Sequence, residues 1–197
     1  MKTMKCKAVI FVSMIALVLS SCTKDSDVEV PSAKKTIFVE NFDDSSLATT
    51  GWTSVAQIGT KLWSQSSYHS DGYAQFSSYQ SGQPVNVSWL ISPEINLDTQ
   101  DGEKLFFQTC QDGFVKNSGN SLELFISTDY DGTNFADASW ERVDFNVADP
   151  TSVRYIYQDS GILDLSRYTG TIHFAFKYMG TTSASGGYQV DNIRIFY

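Results

Sequence analysis

Hydrophobic and polar positions alternate through most of this chain. Leu122, Leu124 and Ile126 share one parity, as do Ile172, Phe174, Phe176 and Tyr178, whereas His173 and Lys177 take the other and are expected to face solvent. Beyond Thr36, aromatic and β-branched runs are separated by Gly, Asp, Asn and Ser, and no segment carries helical periodicity. The pattern predicts strands over 36–42, 61–65, 73–78, 85–92, 104–111, 121–128, 140–145, 154–158, 171–179 and 187–197. Asp-Gly pairs beginning at Asp71, Asp101, Asp112 and Asp131 each suit the positive-φ geometry of a tight turn. Many short strands punctuated in this way predict an all-β domain built as an antiparallel β-sandwich.

The first residues follow a different plan. Lys2, Lys5 and Lys7 precede an apolar run over 8–19, which closes on Leu19-Ser20-Ser21-Cys22. A basic start, an apolar core and small residues before a cut site are the parts of a signal peptide, and a cysteine at the cut makes residues 1–21 read as a bacterial lipoprotein signal. Acylation of Cys22 on sulfur and then on its freed amine would supply two or three chains, enough for stable anchoring. The other readings are an ordinary secretory signal with a chance cysteine, or a membrane-spanning anchor, for which the run is short against roughly 20 residues. Residues 22–35 are polar and charged, contain Pro31, and read as a flexible tether ahead of a single domain over 36–197. Asp25, Asp27 and Glu29 resemble the export tag of surface-exposed lipoproteins in Bacteroidetes. The expected location is the outer membrane, lipid-anchored and facing the exterior.

Charge narrows the partners. Without residues 1–21 the chain keeps 11 basic and 22 acidic side chains, a net charge of −11. This balance disfavours nucleic acid and anionic lipid as partners, leaves the acyl anchor as the expected contact with the membrane, and makes cations the natural counter-charge. With Cys6 removed and Cys22 acylated, Cys110 is the remaining thiol, so no internal disulfide is expected. Cys110 reads as a buried small residue in a strand.

Several short motifs fall in a recognisable order: Phe38-Val39-Glu40-Asn41-Phe42, Gly51-Trp52, Trp89-Leu90-Ile91-Ser92-Pro93 followed by Ile95 and Leu97, Ser127-Thr128-Asp129-Tyr130-Asp131-Gly132, and Tyr188-Gln189-Val190-Asp191-Asn192-Ile193. In this order they resemble the choice-of-anchor J and cleaved-adhesin type of domain of Bacteroidetes surface lipoproteins, over nearly all of 36–197. The resemblance implies a jelly-roll sandwich, galactose-binding-like or MAM-like in shape, often with structural calcium, and a role in adhesion or glycan binding. The chain departs from several calcium-binding relatives in lacking an Asp-rich loop after Gly51-Trp52.

The terminal strands carry the leading candidate chemistry. Glu40 shares parity with Phe38 and Phe42, and Asp191 with Ile193, Ile195 and Tyr197, so each carboxylate lies among large apolar side chains, a costly placement unless it is paired. If the first and last strands are neighbours, Glu40 and Asp191 converge, and a hard cation such as calcium would neutralise them. Asn41 and Asn192 are placed to orient such a site or lend carbonyls, and Asp43 or Asp44 to reach in from the adjoining loop. The alternative is that both acids accept backbone hydrogen bonds at strand ends. Asp129-Tyr130-Asp131-Gly132 lacks the distal glutamate of an EF-hand loop and reads as a turn.

For an extracellular ligand, Tyr68 and His69 beside the Asp71-Gly72 turn, and Tyr155 and Tyr157 on one face of a short strand, are the surface candidates. Trp52, Trp89 and Trp140 read as packing residues. No Gly-x-Ser-x-Gly, phosphate loop, dinucleotide fingerprint, zinc spacing or paired-acid strand of a glycosidase is present. The expectation is therefore a monomeric, non-catalytic module that binds an extracellular glycan, with structural calcium. The alternatives are a protein-binding adhesin acting on a host or cell-surface protein, or an accessory subunit of a surface uptake complex, with a glycoside hydrolase further behind.

Overall fold

The computed structural model describes residues 34–44, 46–113, 119–148 and 153–197. Cys22, the signal and most of the tether lie outside these residues. Two antiparallel sheets face each other as a sandwich. The first contains β1 (Thr36–Glu40), β3 (Ser64–Tyr68), β4 (Asp71–Phe76), β7 (Lys104–Asp112), β10 (Gln158–Asp159), β11 (Leu163–Asp164) and β13 (Gly187–Phe196). The second contains β2 (Thr53–Ile58), β5 (Val85–Ile91), β6 (Ile95–Asn96), β8 (Ser121–Ser127), β9 (Glu141–Val143) and β12 (Thr171–Thr181). From β4 onward the chain repeatedly crosses from sheet to sheet, the wiring of a jelly roll. One 3-10 turn, Leu47–Thr50, precedes β2. Among the described residues no helix is long and apolar enough to cross a membrane.

Alternating side chains build the core between the sheets. Leu105 and Phe107 from β7, Val190, Ile193 and Ile195 from β13, and Leu124, Ile126, Phe174 and Phe176 from the second sheet are buried together. Strand β13 lies at the centre of the first sheet. Strand β7 occupies one flank along almost its whole length, while the other flank is shared end to end by β4, opposite Tyr188–Val190, and β1, opposite Ile193–Phe196.

The outer face of the second sheet is also covered. Val87, Trp89, Ile91 and Ala175 pack under Tyr130, Phe135 and Trp140, which come from the segment between β8 and β9. This corrects the solvent-facing assignment of two residues. His173 is 8 % exposed, with its ring edge-on to Tyr130 and its Nδ1 2.8 Å from the Ser92 carbonyl. Lys177 is half-buried, with its Nζ 5.3 Å from the ring centres of both Trp89 and Phe125.

Other differences are local. Residues 61–63 precede β3 rather than belonging to it. The turn between β3 and β4 is made by His69 and Ser70, with φ of 53° and 70°, and Asp71-Gly72 opens β4 instead. Gly72 serves a different need: a Cβ there would sit 1.9 Å from the Phe42 carbonyl oxygen. Strand β1 stops at Glu40 because Phe42 takes φ 53°. Tyr155 sits in a turn at φ 61°, so the ladder expected over 154–158 shrinks to Gln158–Asp159. Strands β2, β6 and β11 were not expected.

Candidate functional site

Two places concentrate polar and aromatic groups: the gap between β1 and β4, and the far end of β7 and β13.

At the gap, β13 bulges. Asn192 takes φ 54° and the pairing with β7 slips between Asp191 and Arg194. The bulge turns Asp191 into a buried position, where its Oδ1 accepts the Asn192 backbone N–H at 2.6 Å and its Oδ2 accepts the Asn192 side-chain amide at 3.1 Å. Burial pushes the Asp191 carboxyl up to about 7, the Asn192 N–H opposes that rise, and the negative charges of Asp71, Asp43 and Glu40 add to it. Three acids from two other segments therefore act on Asp191 here. Among the described residues, no three His, Cys, Asp or Glu side chains come close enough together to hold a metal ion by themselves.

The neighbouring groups are also oxygen-rich. Glu40 is buried, and its two oxygens accept the Phe42 N–H at 2.7 Å and the Trp52 indole N–H at 2.9 Å, leaving each a further lone pair. Asp43 accepts the Gly72 N–H at 3.0 Å. The Gln65 amide donates to the carbonyls of both Phe42 and Asp44. The side-chain oxygen of Asn41 is buried without a hydrogen-bond partner among the described residues. Of the four sequence-derived metal candidates, Glu40, Asn41 and Asp43 thus lie on one stretch of chain, and Asp191 adjoins it through the β1–β13 pairing. Sequence reasoning missed Gln65 and Asp71, which arrive from β3 and β4 through long-range pairing. The donor set is all hard oxygen and suits calcium in kind.

At the far end, a cleft of about 370 Å³ is lined by Ser77, Tyr79, Asp112, Arg154, Ser185 and Gly186. The Tyr155 hydroxyl donates to Asp112 Oδ1 at 2.6 Å, and Arg154 Nη2 donates to the same oxygen at 2.9 Å. The hydrogen bond to Asp112 is the main reason the Tyr155 phenol and the Arg154 guanidinium both hold their protons more tightly than usual. Tyr79 is 63 % exposed and Tyr155 52 %. The floor is fixed from below, since the Asn120 amide donates to the carbonyls of Ala184 and Gly186, and Ser77 donates to the Ser185 carbonyl. A bulky residue held at φ above zero is an uncommon conformation that costs energy, and Tyr155 is held so at the edge of this cleft.

The other three ligand candidates separate. Tyr68 and His69 stack at 4.2 Å between centroids on the β3–β4 turn, with Tyr68 71 % exposed. Tyr157 is half-buried and its hydroxyl donates to Gln189 Oε1 at 3.2 Å. Cys110 is buried beside it and hydrogen-bonds the same Gln189 oxygen, and burial raises its thiol to about 12, so it is a packing residue with little thiolate. Tyr155 and Tyr157 do not share a strand face.

No family model matches the sequence, and no curated protein matches it. Solved structures do. The fold is one shared with cleaved adhesin domains. The K3 cleaved adhesin domain of Lys-gingipain from Porphyromonas gingivalis W83 superposes with a TM-score of 0.56 at 20 % identity, over 84 % of this chain and all of that domain. The K1 domain of the same protein gives 0.54 at 21 % identity, over 80 % of this chain and 96 % of that domain. At such identities the likeness to the cleaved adhesin domains is one of fold.

Proposed function

We propose that this chain is a non-catalytic surface module of the choice-of-anchor J and cleaved-adhesin type that binds an extracellular glycan in the Tyr79–Tyr155 cleft. The observation that carries the reading is Tyr155 itself. A tyrosine fixed at φ 61°, with its hydroxyl tied to Asp112 beside Arg154, gives a rigid ring next to a carboxylate and a guanidinium, while Tyr79 supplies a second ring. Rings cover the apolar faces of sugars, and the charged pair offers donors and acceptors to hydroxyls. Acylated Cys22 would hold the module on the outer membrane as a monomer facing outward.

The same reading includes structural calcium at the β1–β4 gap. Asp191, Asp43 and the carbonyls of Phe42 and Asp44 are the first candidates, with Asn41 and the spare lone pairs of Glu40 beside them. A buried carboxylate that no basic side chain pairs with among the described residues, and the Asn41 oxygen, partnerless among the same residues, support it.

Exposed Val153 and Ile156, which flank Arg154 and Tyr155, favour the second reading, a protein-binding adhesin or uptake-complex subunit. A glycan array probed with the full chain decides between them. Binding that falls at least tenfold in Tyr79→Ala and in Tyr155→Gly supports the first reading. A silent array, with an outer-membrane protein copurifying, supports the second.

A further inference from the structure

The end of the first sheet opposite the cleft combines apolar, aromatic and basic groups on one outward face. Pairing across β1, β13 and β7 builds two rungs. One rung is Val39, Arg194 and Phe106, and the other is Thr36, Phe196 and Lys104. Val39 is 53 % exposed, Ile37 is exposed beside it, and Phe106 and Phe196 are half-buried. Lys34 places its Nζ 4.5 Å from the centre of the Phe196 ring, and Lys35 lies 5.9 Å from that of Tyr197. Lys104 pairs with Asp164 at 2.9 Å, whereas Arg194 is exposed and forms no ion pair among the described residues.

Without residues 1–21 the chain carries a net charge of −11, which disfavours anionic lipid for the molecule as a whole, yet basic side chains gather at this one face. Aromatic rings and valine flanked by Lys and Arg are the chemistry of a bilayer interface: the rings and stems enter the headgroup layer while the cationic tips stay at its surface. The position of the chain start adds a second argument. Lys34 lies at this face, and the twelve residue steps back to Cys22 reach at most about 43 Å when fully extended. An acylated Cys22 therefore tethers the domain through this end and lets this face reach the bilayer, and β7 separates it by about 27 Å from Asp112 at the cleft.

The geometry points to this face as a membrane-seating surface: Ile37, Val39, Phe106 and Phe196, rimmed by Lys34, Lys35 and Arg194, rest on the anionic headgroups of the bilayer that holds the lipid. The proposal rests on the anchored reading of Cys22. Seating turns a tethered domain into an oriented one, with its cleft directed outward.

The test uses the acylated full chain in vesicles of phosphatidylcholine and phosphatidylglycerol, carrying a spin label at Val39→Cys or, in a separate preparation, at Val153→Cys beside the cleft. Cys110 is buried and leaves the label to the introduced thiol. The Val39 label is expected to lose at least threefold in collisions with a water-soluble nickel chelate on going from detergent to vesicles, with the Val153 label, at the cleft end, unchanged. Equal accessibility of both labels in vesicles overturns seating while leaving the anchor intact. Protection of the Val39 label already in detergent assigns the face to a second copy of the chain and overturns the proposal. A chain that does not float with the vesicles overturns the anchored reading, and seating with it.

Discussion

Asp191 is a carboxylate placed where burial and three neighbouring acids oppose its charge. The sign of its pH dependence follows directly. In the unfolded chain it ionises near its ordinary value of 3.8, whereas in the folded chain it keeps its proton up to about 7. Its folding penalty is therefore absent below about pH 4, grows between pH 4 and 7, and is complete above, with an upper size of about 4 kcal/mol. In chelator, denaturant melts are expected to show the protein less stable at pH 8 than at pH 5, with Asp191→Asn removing most of that difference. With calcium the order at pH 8 should invert, the native chain gaining stability and Asp191→Asn gaining none. Melts that are flat with pH in chelator and unmoved by calcium would remove both the buried charge and the ion. Glu40 has a different role nearby, because its oxygens already hold the Trp52 indole and the turn at Phe42.

At the scale of elements, the segment between β8 and β9 converts an outer sheet face into a second core. Trp140 lies 5.4 Å from Trp89 and 5.5 Å from Tyr130, centroid to centroid, and the Trp140 indole donates to the Phe135 carbonyl. Trp140→Ala is expected to cost about 2–4 kcal/mol and to open the face to a hydrophobic dye. Calorimetry with dye binding checks both, and an unchanged melt would show that the segment covers the sheet without stabilising it. The sequence announced the strands on each side of this segment but not its fate. Alternation in Leu122, Leu124 and Ile126 says which side chains share a face, whereas burial of His173 depends on where Tyr130 lands, which no local pattern encodes. The same limit explains Gly72: an Asp-Gly pair reads as a turn, yet this glycine is required by the passing carbonyl of Phe42, thirty positions earlier. Parity and the neighbouring terminal strands made the Glu40 and Asp191 region legible. The cleft was not legible, because Tyr79, Asp112 and Arg154 come from separate parts of the chain, and Tyr155 adopts a conformation that its alternating neighbours disguise as strand.

For the whole molecule, the proposed arrangement is a polar connector at one end of the sandwich and a cleft at the other. Protease treatment of intact cells is expected to release the domain over 34–197 as one resistant fragment, since its polar connector is the natural cleavage site and two packed cores protect the rest. Release only after lysis would move the protein to the inner side of the membrane. The short first strand also acquires a mechanical meaning. β1 leads from Lys34 along β13, with one irregularity between Thr36 and Phe38, and its hydrogen bonds lie perpendicular to the strand axis. A pull between cleft and connector runs along that axis, so the Thr36–Phe196 to Glu40–Ile193 ladder is loaded in shear and its bonds must yield together rather than peel one by one. A five-residue edge strand thus becomes a force-bearing clamp.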